Sequence, residues 1–316
     1  MAIFRTSIGP SLKPSGKSRI KGIHCHRYPI GLRTMKDNAL IFDIGLHHGQ
    51  DTAYYLHLGY RVVGVDADPN LISQAKTTFA TSIAQDKLQL TWAAIAAEQG
   101  QEVDFVISES DEWNSVSREL AERRGPAKAV VRVSTRTLAS LIDEFGVPHY
   151  CKIDIEGHDL IALQSMRGSH SLPEFISVET ECTGQRKLSE EEALQTLDEL
   201  KALGYTRFKL VDQRTLAVLR PEVKFYTVSG LLEKVLIRAV KLVHPRAERA
   251  QRRKAIRAAQ YYFAPTASGT FGESLAGQWS DFETSKRLLL RHRNDYFKLP
   301  DSANWGFWCD WHAKIG

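Results

Sequence analysis

No run of about 18 apolar residues occurs in the 316-residue chain, so no segment reads as a helix able to cross a bilayer. Cysteine is scarce. Cys25, Cys151, Cys182 and Cys309 are scattered without a C-x-x-C pair, which argues against a disulfide framework and makes a reducing, cytoplasmic setting the expectation. His24-Cys25-His26 has the residue types of a metal cluster, but no second Cys/His pair stands at zinc spacing, so no metal is expected there. The chain also lacks G-x-G-x-x-G, the glycine turn that serves the pyrophosphate of a dinucleotide.

What is present is a globular composition, 43% hydrophobic and 25% charged. The net charge of +5 is unevenly spread. Residues 1–34 carry seven Lys/Arg and no acid, and residues 231–260 carry nine against Glu233 and Glu248. The rest holds 26 basic and 35 acidic residues, a net of −9. An acidic body argues against a nucleic-acid-binding face. Residues 1–34, rich in Ser, Lys, Arg and Gly, have neither apolar periodicity nor the apolar core of a secretory signal. They read as a disordered tail, as an organelle transit segment, or as the product of an upstream start with Met35 the true beginning.

The organising stretch is Ala39 to Asp68. Apolar Ala39 to Phe42 predicts a buried parallel strand. Asp43, Gly45 and Gly49 follow as D-x-G-x-x-x-G, then apolar and aromatic residues at helical spacing from Thr52 to Leu58. Arg61 to Val65 predicts a second strand, ending on Asp66. Strand, glycine turn, helix, strand and acidic end predict the nucleotide-binding half of a doubly wound, mostly parallel α/β sheet. Gly45 and Gly49 permit a sharp turn and a close backbone approach. Asp66 is placed to accept the hydroxyls of an adenosine ribose. Asp43 stands where a dinucleotide site has its first glycine, which suits a cationic ligand without phosphates. An adenosine bearing a charged amine and no phosphate points to S-adenosylmethionine.

Further along, Pro69 opens a helix to about Ala80, and Leu88 to Ile95 reads as a third strand. Ala93-Ala94 at its end leaves room for a flat adenine ring. Val103 to Ser108 predicts a short extra strand, followed by polar residues 108–119. Val130 to Val133 begins another strand, Thr137 to Phe145 reads as a helix, and His149 to Ile153 as a buried strand. That strand runs into YCKIDIEGHD, residues 150–159. In an open α/β sheet ligands bind beyond the C-terminal strand ends, and Asp154 and Glu156 lie there with Lys152 and His158 beside them. Residues two apart on a strand face one side, so the two acids are placed to act on one substrate atom or to share one divalent cation such as Mg²⁺.

Phe175 to Val178 predicts a fifth strand, Glu190 to Leu203 an amphipathic helix stopped by Gly204, and Tyr205 to Leu210 with Thr215 to Leu219 an antiparallel hairpin at the C-terminal end of the sheet. Residues 221–262 turn basic. They read as a solvated helix or linker, with peripheral contact to an anionic membrane through 231–260 as the alternative. Residues 263–316 are rich in Gly and aromatics. Trp279, Trp305, Trp308 and Trp311 suggest a segment packed back on the main domain.

With both glycine–acid stretches in hand, the chain resembles the FkbM family of S-adenosylmethionine-dependent methyltransferases. The matching stretches are FDIGLHHGQDT, VVGVDADPNL, TWAAIA, RTLASLI and, the most specific, YCKIDIEGHDL. They cover about residues 39–220, and LGYTRFKLVDQ, SGTFGE and WCDWHA resemble a bacterial branch of the family. The resemblance implies a class I, Rossmann-like methyltransferase domain over 35–220. It implies a cofactor-binding set of Asp43, Gly45, His47, Gly49, Asp51, Thr52, Asp66, Ala67, Ala93 and Ala94, and a catalytic set of Asp154, Glu156, Lys152 and His158. His47 stands where the family has an amide, and Ala139 where it has a carboxylate. The expected reaction is O-methylation of a hydroxyl on a small molecule, glycan or glycolipid, with Asp154 or Glu156 as base. An RNA or DNA methyltransferase is one alternative, disfavoured by the acidic body and by the absence of an N-P-P-Y-type stretch. A catalytically silent cofactor-binding module is the other.

Overall fold

The computed structural model describes residues 39–108, 115, 127–155, 157–181, 188–220, 248–296 and 307–316. Residues 1–34, most of the polar stretch 108–119, Glu156, Cys25, Cys182, Trp305 and the 231–247 part of the basic segment lie outside them.

Strand β1 (Leu40–Ile44) is buried along its whole length and pairs in parallel with β2 (Arg61–Asp66). Helix α1 (Gln50–His57) connects them. Its N-cap is Gly49 at φ 73°, a left-handed backbone, and a Cβ there would stand 2.5 Å from the Phe79 ring. Glycine is demanded twice, by conformation and by packing. After β2, Asp68 caps α2 (Pro69–Thr78) by accepting the Asn70 N–H at 2.7 Å, and Pro69 occupies the first turn, where its missing N–H costs nothing. The short α3 (Ala80–Ala84) leads to β3 (Leu88–Trp92).

The expected third strand ends earlier than its apolar run. At Ala93 the chain leaves the main sheet, and β4 (Ala94–Ile95) joins a small separate sheet with β5 (Glu102–Ile107) and β6 (Ala129–Arg136) in the order β4-β6-β5. Thr137 then caps α4 (Leu138–Phe145) through the Ser140 N–H at 3.0 Å. Strand β7 (Tyr150–Ile153), α5 (Asp159–Gln164), β8 (Phe175–Glu179), α6 (Gln195–Leu203), β9 (Arg207–Asp212) and β10 (Ala217–Val218) follow. The hairpin forms as expected, with β9 and β10 antiparallel. Residues 248–259 are helical and form α7, and α8 is Phe282–Tyr296.

The sequence reading assigns no strand to the tryptophan-rich last segment. Cys309–Lys314 is β11, which enters the sheet between β8 and β9, antiparallel to both. The eight-stranded order is β10-β9-β11-β8-β7-β1-β2-β3. Trp311, Ala313 and Cys309 point into the larger core with Phe42, Ile44, Val178 and the inner residues of α4, α5, α6 and α8. The opposite face of the sheet packs Ile41, Val62 and Tyr150 against Tyr54 and Tyr55 of α1 and against Phe263 and Phe271. Side chains alternate along a strand, so Asp43, Lys152 and Asp154 share this second face.

Candidate active site

Register places the site. Asp43 on β1 is partnered by Lys152 on β7, Lys152 by Ser177 on β8, Ser177 by His312 on β11, and His312 by Lys209 on β9. Five polar side chains thus form a row across five adjacent strands, and all five are buried. At the Asp43 end the row meets the turn after β1, and there the charges concentrate.

Lys152 is the hub. Its ammonium lies 3.4 Å from Asp43 Oδ1, 3.5 Å from Asp51 Oδ2 and 3.4 Å from Asp154 Oδ2, and it donates to the Gly45 carbonyl at 3.3 Å. Burial works against its charge, but Asp154, Asp43 and Asp51 together hold its pKa well above the ordinary lysine value. The carboxyls respond in the opposite sense. Burial pushes Asp43 up to about 6 despite Lys152, and burial likewise raises Asp51. One ammonium among three carboxylates leaves the cluster short of positive charge.

The remaining contacts set geometry. Thr52 Oγ1 donates to Asp43 Oδ2 at 2.6 Å, fixing its rotamer from within the core. Gly45 has φ 80°, and a Cβ there would stand 1.8 Å from the Asp154 carbonyl oxygen. That close approach of two backbones brings Asp154 to the turn. Its side chain is 38% exposed, whereas those of Asp43, Asp51 and Lys152 are at most 5% exposed. Only Asp154 of the cluster therefore reaches substantially towards solvent. His158, at the N-cap of α5, is half-buried, and burial lowers its pKa. Glu156 lies outside the described residues.

On the β2 side, Asp66 accepts the His47 N–H at 2.8 Å and the Asp68 N–H at 2.9 Å, one on each oxygen. A carboxylate has about four lone-pair sites, so capacity remains for two hydroxyls. Burial raises its pKa. His47 adopts φ 52° and contributes its backbone N–H, while its ring packs on His48 with centroids 4.2 Å apart. The Ala67 carbonyl receives the Trp92 indole N–H at 3.0 Å. Ala93 and Ala94 are buried at the point where the chain leaves the main sheet.

Several contacts had no clear sequence signal. Asp51, expected in the cofactor set, is turned to the C-terminal part of the chain, where it accepts the Ser268 N–H on both oxygens at 3.0 and 3.1 Å. Gln50 Nε2 reaches Thr266 Oγ1 at 3.1 Å. Residues 263–271 are thereby fastened beside the carboxylates. Asp310 on β11 is buried and accepts from Gln213 Nε2 at 2.5 Å. Burial, with Asp154 as the leading neighbouring charge, raises it well above the carboxylate range. Burial and the Asp154 charge raise Asp159 to about 6, and burial raises Glu181 to about 7. The one legible trace of Asp310 is its alternation with Trp311 and His312.

The donor set suits a cationic adenosyl ligand. It offers a left-handed glycine turn, a strand-end acid with free acceptor capacity, two small residues, and a carboxylate cluster with unbalanced negative charge. Among the described residues no three His, Cys, Asp or Glu stand placed to hold a metal ion. The cation between Asp43, Asp51 and Asp154 is Lys152.

A family model described as the Methyltransferase FkbM domain matches residues 43–207, more than half of the chain. No match is found among curated proteins. Among solved structures, an S-adenosylmethionine-dependent methyltransferase from Geobacter sulfurreducens in complex with S-adenosyl-L-homocysteine is similar at 10% identity. The match covers 89% of this chain and 86% of that one, with a TM-score of 0.36. A precorrin-6y C5,15-methyltransferase from Geobacter metallireducens matches at 13% identity over 61% and 74% of the two chains, TM-score 0.30. A phosphoethanolamine N-methyltransferase 2 from Haemonchus contortus matches at 11% over 90% and 50%, TM-score 0.36. These likenesses are too distant to inform the acceptor.

Proposed function

We propose, from the premise that this chain belongs to the FkbM family and is an S-adenosylmethionine-dependent methyltransferase, that it methylates a hydroxyl of a glycan, glycolipid or secondary metabolite with Asp154 as the base. Asp66 would hold the ribose hydroxyls of the cofactor, Ala93 and Ala94 would border its adenine, and the Asp43 side of the turn would face its methionine part. When bound, S-adenosylmethionine supplies a methyl group already activated on a sulfonium. What remains for the chain is to position a nucleophile and take its proton.

The observation that carries this reading is the division of labour around Lys152. Asp43 and Asp51 are sealed in the interior, and Asp154 alone pairs with the same ammonium while reaching outward. Lys152 keeps Asp154 oriented at the C-terminal end of β7, where an acceptor hydroxyl can meet it. Asp154 takes the hydroxyl proton as the new C–O bond forms. Glu156, two residues on, is the second candidate base, and His158 the third. A divalent cation shared by Asp154 and Glu156, lowering the hydroxyl pKa, is the variant of this mechanism.

The test separates binding from chemistry. Calorimetric titration with S-adenosylmethionine, with and without Mg²⁺, should show cofactor binding nearly intact in Asp154→Asn. Transfer of labelled methyl into glycan, lipid and metabolite fractions should fall by about a hundredfold or more, the usual contribution of a general base. Undiminished transfer by the variant would remove Asp154 from the role, and dependence on Mg²⁺ would select the metal variant.

A further inference from the structure

Helix α7 divides its residues sharply. Ala255, Ile256 and Ala259 turn inward and pack against the core on the α1 side of the sheet. Arg252 also turns inward, donating to the carbonyls of Gln213 at 3.0 Å and Arg214 at 3.3 Å and to that of Ala264. Arg249, Arg253, Lys254 and Arg257 are all exposed, and at 100° per residue they fall within one arc of the helix. No acid shares that arc, since Glu248 turns inward to Arg214. Just past the helix, Tyr262 is 73% exposed.

We infer that the outer face of α7, with Tyr262, is a docking surface for an anionic lipid bilayer. The sequence alone reads this segment as a solvated helix or linker, with peripheral contact to an anionic membrane as the alternative, and in the structure the apolar side of α7 is spent on the core. What is left outward is charge, which draws the helix to anionic headgroups without insertion. Tyrosine is suited to the headgroup layer, with an apolar ring and a polar tip. Charge complementarity favours this orientation, because the chain outside its two basic segments carries a net of −9 and is repelled by the same surface. The sequence leading into α7, residues 231–243, mixes Leu, Val and Ile with Lys and Arg. That composition suits a lipid interface better than a nucleic-acid groove.

The location has a consequence for the reaction. Arg252 ties α7 to Ala264, and the segment that follows, through Thr266 and Ser268, is fastened to Gln50 and Asp51 beside the catalytic cluster. A bilayer on the outer face of α7 is therefore held next to the segment bordering the site. On the proposed reading of that site, this favours a lipid-linked acceptor, although docking itself does not depend on it.

The experiment is co-sedimentation of the full-length protein with vesicles of phosphatidylcholine alone or mixed with phosphatidylglycerol, at low and high salt. Binding is expected to the anionic vesicles only and to be lost in high salt. Each basic residue near such a surface contributes about fivefold to the partition constant. Arg253→Gln/Lys254→Gln/Arg257→Gln is therefore expected to weaken it about a hundredfold. Lys76→Gln/Lys87→Gln/Lys128→Gln, with the same change in net charge at exposed positions elsewhere, is expected to keep it. Titration with S-adenosylhomocysteine shows that each variant is folded, and does so whether or not an acceptor is ever methylated. Equal losses in both triple variants, or full binding by the α7 variant, would overturn the inference. So would tighter binding to single-stranded RNA than to the anionic vesicles.

Discussion

Lys152 is outnumbered by the carboxylates around it, and the imbalance makes cofactor affinity depend on pH. Asp43, raised to about 6, is ionised at neutral pH and takes up a proton as pH falls through that region, and burial shifts Asp51 in the same direction. A ligand carrying a sulfonium and an amine favours the ionised forms, so binding should release protons and weaken in acid. Affinity for S-adenosylmethionine is expected to fall by up to about tenfold per pH unit below 6. S-adenosylhomocysteine lacks the sulfonium charge and should respond less. Calorimetry across pH, in buffers of differing ionisation heat, checks both, and identical pH profiles would refute the electrostatic account. Gly45 offers a second test. Alanine there must hold φ near 80° and place its Cβ 1.8 Å from the Asp154 carbonyl. Gly45→Ala is expected to cost at least about 1–3 kcal/mol of stability, read from denaturant unfolding, and to displace Asp154. The placing of Asp43, Gly45, Asp66, Lys152 and Asp154 at or beside strand ends was legible, because each stands where a short apolar run stops. The Asp51–Ser268 contact was not, because its partners are 217 residues apart and the donor is a backbone N–H that any residue could supply.

Among the elements, β11 is one to which the sequence reading assigns no strand, although its period is there. Its sequence alternates Cys309, Trp311 and Ala313 with Asp310 and His312, which is strand periodicity. In the sequence reading the tryptophans are a sign only of packing on the main domain. The structure buries both sets, the apolar residues in the larger core and Asp310 and His312 on the opposite face, where His312 belongs to the polar row. This face of the sheet is the one that carries the candidate site. The βαβ portions were readable from local pattern, since each strand and helix follows its neighbour. An antiparallel strand inserted between β8 and β9 from the far end of the chain has no local signal. Trp311 is fully buried, so Trp311→Ala should destabilise the protein by about 3–5 kcal/mol, with unfolding remaining cooperative. A loss below 1 kcal/mol would mean that β11 is a dispensable appendage.

For the whole molecule, the division falls between Met1–Met35 and Lys36–Gly316. Every described strand and every candidate site residue belongs to the second unit. The first supplies seven of the 42 basic residues and no acid, so removing residues 1–35 changes the formal net charge from +5 to −2. The main sheet of the second unit is built from that unit's own strands, from β10 at one edge to β3 at the other. A chain beginning at Lys36 is therefore expected to melt at the same temperature as the full chain and to bind S-adenosylmethionine equally well. Its charge reversal should be visible as retention on an anion exchanger at neutral pH. If the shortened chain lost cooperative unfolding, the basic extension would be part of the fold. If it folded but lost cofactor affinity, the extension would reach the site. The unchanged result would assign those seven charges to a task outside folding and cofactor binding, and leave the basic face of α7 as a feature of the folded unit itself.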